Sequence, residues 1–204
     1  MTDSTMTDST VTDSTVARTA GLLLAAGAGR RYGGPKALAN GGEWLRRALA
    51  ALVDGGCEPV RVVLGAGAAE AVELLPSPEL AVVAADWDSG MSASLRTGLD
   101  ALARLVPPPA AALVHLVDLP DVGAGVVRRI AEHAAPAAVA RATYHGTPGH
   151  PVLIGRDHWA AVARTATGDH GARDWLAARP DLRLVECADL ASGRDRDTPD
   201  TSPA

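Results

Sequence analysis

Residues 21–36 read Gly21-Leu22-Leu23-Leu24-Ala25-Ala26-Gly27-Ala28-Gly29-Arg30-Arg31-Tyr32-Gly33-Gly34-Pro35-Lys36. The apolar run from Gly21 to Ala25 suits a buried strand. It breaks directly into a glycine-rich loop ending on Lys36. Glycines let backbone N–H groups approach phosphate oxygens closely, because no Cβ intervenes. Arg30 can fork onto phosphate oxygens, and Lys36 supplies a point charge. Two other phosphate loops do not fit. A Walker A loop needs Gly-Lys followed by Ser or Thr, whereas Pro35 precedes Lys36 and Ala37 follows it. A dinucleotide fingerprint needs GxGxxG, whereas these glycines fall at 27, 29 and 33. The alternative without function is an ordinary turn between strand and helix that carries two stray cations.

Downstream, Trp44, Leu45, Ala48, Leu49, Leu52 and Val53 form one helical stripe over Glu43–Asp54, ended by Gly55-Gly56. Val60–Leu64 reads as a strand, Ala68–Leu75 as a short helix and Leu80–Ala84 as a third strand. Met91, Leu95, Leu99, Leu102 and Leu105 predict a helix over 91–105, stopped by Pro107-Pro108-Pro109. Ala111–Val117 is a fourth strand with Asp118 at its carboxyl end. A helix near 124–134, a strand near 137–143, a short strand Val152–Ile154, helices near Trp159 and Trp175, and a strand Leu182–Glu186 complete the pattern. Such alternation implies a mostly parallel sheet covered by helices on both faces. Right-handed crossovers then bring the strands' carboxyl ends to one edge, where ligands bind. The glycine loop and Asp118 both land there.

The 204-residue chain suits one domain. Residues 1–18, built on the repeat MTDST-MTDST-VTDST, have no buriable face and are expected to be a disordered low-complexity tail. A single domain is expected over 19–200, with 201–204 loose. Phe is absent and aromatics are 3%, so Ala, Val and Leu must fill the core. The net charge of −5 argues against a nucleic-acid partner, which needs a basic face. No apolar run reaches the ~18 residues of a membrane span. The two cysteines form neither a CxxC pair nor a framework, and read as reduced thiols of a cytoplasmic protein. His115, His133, His145, His158 and His170 show no ligand spacing, so zinc is not expected. Trp44, Trp159 and Trp175 sit on helical stripes and are assigned to the core. Trp87 is assigned to a loop that covers a site.

The stretch LLLAAGAGRRYGGPKAL resembles the LAAGxGxRxGxxK signature of the MobA-like nucleotidyltransferases, which include the molybdenum-cofactor cytidylyl- and guanylyltransferases. Trp87-Asp88-Ser89-Gly90-Met91-Ser92-Ala93-Ser94-Leu95 resembles that family's W-x-x-G-M-x-x-S-L. Val117-Asp118-Leu119-Pro120 resembles its D-x-P strand end. Gly146–Pro151 matches G-x-x-G-H-P, Gly168–Arg173 matches G-D-x-G-A-R, and Asp195–Asp200 matches D-x-D-T-P-[ED]. The matches span about residues 20–200.

The resemblance implies a three-layer, Rossmann-like nucleotidyltransferase fold with a mostly parallel mixed sheet. It also implies attack by a terminal phosphate of molybdopterin on the α-phosphorus of CTP or GTP, releasing pyrophosphate. Ala25-Ala26-Gly27 resembles the CTP users, where GTP users show Ala-Gly-Gly. The nucleotide would be held by Leu24, Ala25, Ala26, Gly27, Gly29, Arg30, Lys36, Gly65, Gly90 and Ser94. The acceptor would be lined by Gly149, His150, Asp169 and Arg173, although a His before Pro151 equally suits a turn. Mg²⁺ would be held by Asp118 and Asp197; without the family pattern, these read as a strand-end cap and a solvated tail residue. Arg30, Lys36 and Asp118 would carry catalysis, and a molybdenum hydroxylase would be a client partner. Two rivals follow from the same motifs: transfer to another phosphorylated acceptor, such as a sugar or an alcohol, and a non-catalytic maturation chaperone.

Overall fold

A computed structural model describes residues 18–196. The predicted tail lies outside these apart from Arg18, whose carbonyl accepts from Ala110 N–H at 2.9 Å. Asp197, predicted as a metal ligand, also lies outside the described residues.

Strands β1 (Thr19–Ala25), β2 (Val60–Leu64), β3 (Ala81–Val83), β4 (Ala111–Leu116), β5 (Val139–Tyr144), β6 (Thr147–Gly155) and β7 (Arg183–Glu186) form one sheet in the order β3-β2-β1-β4-β6-β5-β7. Only β6 runs against its neighbours; every other pairing is parallel. The helices are α1 (Ala39–Asp54), α2 (Ala68–Val72), α3 (Met91–Ala103), α4 (Ala124–Ala131), α5 (Trp159–Thr165) and α6 (Arg173–Ala177). Asn40, Gly41 and Gly42 at the start of α1 have positive φ, so the regular helix begins at Glu43.

Side-chain alternation along the buried strands sorts the core into two layers. Leu23, Val62, Leu113 and Leu153 pack with Trp44, Leu45, Leu49 and Leu52 of α1 and with Val126, Val127 and Ile130 of α4. Leu22, Leu24, Val63, Val114, Val152 and Ile154 face α3, α5 and α6 through Leu95, Leu99, Leu102, Trp159, Val162 and Leu176. This is the predicted three-layer α/β arrangement. Trp44 and Trp159 are core residues. Trp175 is only half-buried, because it lies on the five-residue α6 with the Arg179 guanidinium 5.1 Å over its ring.

β6 departs most from the sequence-based expectation. The residues Val152–Ile154 are the end of a nine-residue strand. Glycine and proline in Thr147–Pro151 weaken the strand signal, yet this stretch pairs with β5 through Tyr144↔Thr147 and Thr143↔Pro148. The hairpin turns on His145 (φ +51°) and Gly146 (φ +77°). Positive φ at both turn positions matches the right-handed twist of the strands it joins. Because β6 is antiparallel, its beginning, Thr147–His150, reaches the same edge as the carboxyl ends of the other strands. Crossovers alone would not have brought the Gly146–Pro151 motif there.

His115 of β4 is fully buried, and neither ring nitrogen has a hydrogen-bond partner among the described residues. Burial pushes its pKa down to about 4. The folded protein therefore holds this ring neutral, while the unfolded chain protonates it near pH 6.5. Between these values unfolding takes up a proton, so stability falls as pH drops from about 6.5 towards 4. At about 1.4 kcal/mol per pKa unit the loss approaches about 3 kcal/mol, or several degrees in Tm for a chain of this size. Melting curves from pH 7.5 to 4 should show this decline, and His115→Gln should reduce it, leaving the part due to His150, whose ring burial also holds neutral.

Candidate active site

The glycine loop leaves β1 and closes on itself. The carbonyl of Gly29 accepts N–H bonds from Tyr32 and Gly33 at 2.9 Å and from Gly34 at 3.2 Å. Gly29 has φ +57°, and a Cβ there would lie 2.0 Å from the carbonyl oxygen of Gly34. Only glycine allows this closure. The Tyr32 ring leans on Trp44, with centroids 4.9 Å apart, and so ties the loop tip to α1. Gly29→Ala should therefore disorder the loop while sparing the core. The expected result is at least about a tenfold rise in nucleotide Kd, about 1.4 kcal/mol, with Tm lowered by only a few degrees. Titration with CTP and a melting curve check both.

Lys36 begins a 3₁₀ turn, Lys36–Leu38, at the end of the loop. Its Nζ lies 2.7 Å from Asp118 Oδ2, and both side chains are about five-sixths buried. Asp118 follows β4, where Val117 N–H still bonds to Leu24 O and extends the ladder. The other carboxylate oxygen, Oδ1, is buried without a hydrogen-bond partner. Arg196 N–H donates to the carbonyl of Asp118 at 3.0 Å. The first half of the D-x-D motif is thereby brought against the end of β4.

These groups line a cleft of about 580 Å³ with Leu24, Ala25, Ala26, Gly27, Gly29, Arg30, Ser94 and Asp195. Gly65 and Gly90 lie just outside that lining. Trp87 packs on Gly65 so closely that a Cβ at 65 would sit 2.5 Å from the Trp87 side chain. Trp87 thus secures the loop after β2, and it does not line the cleft. Gly90 has φ +108°, and a Cβ there would lie 2.6 Å from the carbonyl of Gly168 and 2.7 Å from Asp169 Oδ1. The loop ahead of α3 and the loop carrying Asp169 are pressed together at this point. Arg96 reinforces the contact by donating to Ala166 O at 2.9 Å.

A second cleft of about 320 Å³ opens from the first. It is lined by Gly149, His150, Asp169 and Arg173, all four residues assigned to an acceptor. Leu95, Val114, Val152, Ile154 and Leu176 give it an apolar floor. Leu24, Met91, Leu116, Asp169, Arg173 and Asp195 border both clefts, which makes them two lobes of one site. His150 donates no charge here: burial first, then the nearby Arg141 and His115, push its pKa down to about 3. Its carbonyl accepts from Tyr144 Oη at 2.7 Å, so the residue also braces the hairpin.

Among the lining residues given no role in the sequence reading, Asp195 and Arg141 carry charge into the acceptor lobe. Asp195 belongs to the quoted D-x-D motif, but only Asp197 was assigned a role. Arg141 matches no quoted motif. Its signal is a lone charge in the small apolar run Ala138–Ala142, which a strand interior would not otherwise carry.

Residues 21–184 match the model of the MobA-like NTP transferase domain. The nicotine blue oxidoreductase of Paenarthrobacter nicotinovorans is 39% identical over 190 residues, covering 87% of this chain and 91% of that protein. The crystal structure of Rv0371c from Mycobacterium tuberculosis superposes with a TM-score of 0.71 at 27% identity, covering 90% of this chain and 95% of that one. Its manganese complex gives a TM-score of 0.66 at 26% identity, covering 83% and 88%. A nucleotidyl transferase from Methanothermobacter thermautotrophicus gives 0.68 at 25%, covering 84% and 88%. With the family model covering most of its length, this chain belongs to the MobA-like NTP transferase family and is a nucleotidyltransferase of that type.

Proposed function

We propose that the chain transfers CMP, with GMP as the alternative, from CTP or GTP to the terminal phosphate of molybdopterin and releases pyrophosphate. The observation that carries this reading is the pair of joined lobes. One is lined by the glycine loop, Arg30, Lys36 and Asp118; the other has an apolar floor and a charged rim of Arg141, Arg173, Asp169 and Asp195. A nucleoside triphosphate in the first and a phosphorylated acceptor in the second would meet at their shared border. The attacking phosphate oxygen is ionised near neutral pH, so positioning and charge neutralisation are the main tasks. Arg30 and Lys36 hold the triphosphate and take up charge on the departing pyrophosphate. Gly90 and Ser94 border the base and ribose. Ala26, buried just beyond β1, keeps the Ala-Ala-Gly pattern that resembles the CTP users.

The donor set suits Mg²⁺: Asp118 offers a buried oxygen with no other partner, and Asp197 follows the residue hydrogen-bonded to Asp118. Hard carboxylate oxygens with water and phosphate are the usual Mg²⁺ environment. When bound, the ion would neutralise triphosphate charge. A molybdenum hydroxylase is the proposed client, and a cytoplasmic location follows from that role. No helix among the described residues is long and apolar enough to cross a membrane.

A second reading draws on the Paenarthrobacter nicotinovorans relative, whose name is that of an oxidoreductase. The apolar-floored lobe would then hold a flat heteroaromatic substrate. One experiment separates the readings. Purified protein is incubated with molybdopterin, Mg²⁺ and each nucleoside triphosphate, and products are weighed by mass spectrometry. A cytidine dinucleotide with matching pyrophosphate supports the first reading. CTP binding without pyrophosphate supports the chaperone. In a parallel incubation without nucleotides, reduction of a heteroaromatic acceptor by an added two-electron donor supports the oxidoreductase.

A further inference from the structure

We infer that Arg141 and Arg173 form a second anion subsite in the acceptor lobe, one that receives a negatively charged group of the acceptor other than its attacking phosphate. As an assignment to the acceptor this rests on the transfer reading above; as an anion site it does not.

Arg141 stands on β5 and is half-buried. Its Nε donates to Gly149 O at 2.9 Å and its Nη2 reaches Pro148 O at 3.5 Å. Both acceptors are neutral carbonyls on the adjoining strand. Among the described residues no carboxylate lies within ion-pair distance of either arginine. The two guanidiniums are close enough for Arg173 to depress the proton affinity of Arg141, adding to the larger effect of burial. Arg141 is the partly desolvated member of the pair and Arg173 is exposed. Asp169 and Asp195 line the same lobe without forming an ion pair with either, so an anion bound beside Arg141 would offset the cost of its burial. The neighbouring His150 is held neutral and adds no further positive charge to the lobe.

Position within the lobe gives the ligand's chemistry. Arg173 lines both lobes, so it stands between the shared border and the part of the acceptor lobe that Arg141 lines. Arg141 lines only the acceptor lobe, beside Gly149 and His150. A group meeting Arg141 is thus carried beyond the attacking phosphate, on a body that rests against Val114, Val152 and Ile154. The acceptor class is a flat or apolar scaffold with two separated anionic groups: the reacting phosphate, and a second phosphate, carboxylate, sulfonate or thiolate. A sugar or alcohol monophosphate lacks the second group.

The test uses the full chain and sodium sulfate, with sodium chloride at matched ionic strength as control. The Nε–Hε resonances of Arg141 and Arg173 are read by ¹⁵N NMR and assigned through their loss in Arg141→Gln and Arg173→Gln. The expected result is a saturable, sulfate-specific shift at both resonances that persists in Lys36→Ala, where the triphosphate subsite is impaired. No shift at Arg141, or one that chloride reproduces, overturns the subsite. This titration needs no turnover, so it stands whether or not the chain transfers nucleotides. Where transfer to an acceptor is measured, Arg141→Gln should raise acceptor KM about tenfold, the scale of one lost charge-assisted hydrogen bond. Nucleotide KM should stay within about twofold of wild type. A rise in nucleotide KM with acceptor KM unmoved overturns the assignment.

Discussion

Asp118→Asn is expected to remove divalent-metal-dependent nucleotidyl transfer and leave the fold in place. Asparagine keeps the shape of the side chain and still offers an oxygen to Lys36, which lies 2.7 Å from Oδ2. It removes the negative charge, and a hard divalent cation depends on charged oxygen ligands. The buried Oδ1 has no hydrogen-bond partner in the described residues, so no internal contact compensates for the lost charge. Turnover should fall about a thousandfold or more, which corresponds to about 4 kcal/mol of transition-state stabilisation. The stability change is much smaller. Lys36 loses a charge partner but keeps a neutral acceptor in the asparagine oxygen, so about 1–2 kcal/mol is reasonable. Single-turnover rates across a Mg²⁺ or Mn²⁺ series, beside a melting curve, test this. A near wild-type rate at saturating metal would refute a metal-holding role for Asp118.

Most of the fold was legible because its strands are buried on both faces and its helices carry clean apolar stripes. Leu22–Leu24 could be read as a core strand from residue type alone, and the structure puts them between both core layers. The glycine loop was legible because chemistry and backbone make the same demand there: Gly29 needs its positive φ whatever is bound. The β5–β6 hairpin was not legible. His145-Gly146 is a poor advertisement for a two-residue turn, and the pairing of Pro148 with Thr143 across an irregular register overrides weak strand propensity. The strand direction followed from that hairpin, and with it the route by which Gly149 and His150 reach the cleft. Arg141 was hidden for a different reason. A strand charge marks a site only once the neighbouring strand and α6 are known to face it, and those contacts are remote in sequence.

Lys36→Ala is expected to lower kcat/KM for the nucleotide about 10²- to 10³-fold, about 3–4 kcal/mol, the scale of removing one preorganised charged or dipolar group from a developing anion. The argument rests on where Nζ is held. Lys36 sits at the start of a 3₁₀ turn behind Pro35, and Asp118 holds its ammonium in the lining of the lobe proposed for the triphosphate. The group is therefore oriented before any phosphate arrives. Arg30 is exposed on the loop, and Arg30→Ala should cost less because more of its orientation must be acquired on binding. Lys36→Arg should rescue poorly, since a planar fork cannot replace a compact ammonium in a space this close to Asp118. Lys36 and Asp118 act as a unit, so the double variant Lys36→Ala/Asp118→Asn should be scarcely slower than the worse single one. Simple addition of the two losses would mean the pair does not operate together. A Lys36→Ala enzyme with an unchanged rate and unchanged CTP affinity would show that the triphosphate lies elsewhere, and with it would go the assignment of the glycine loop.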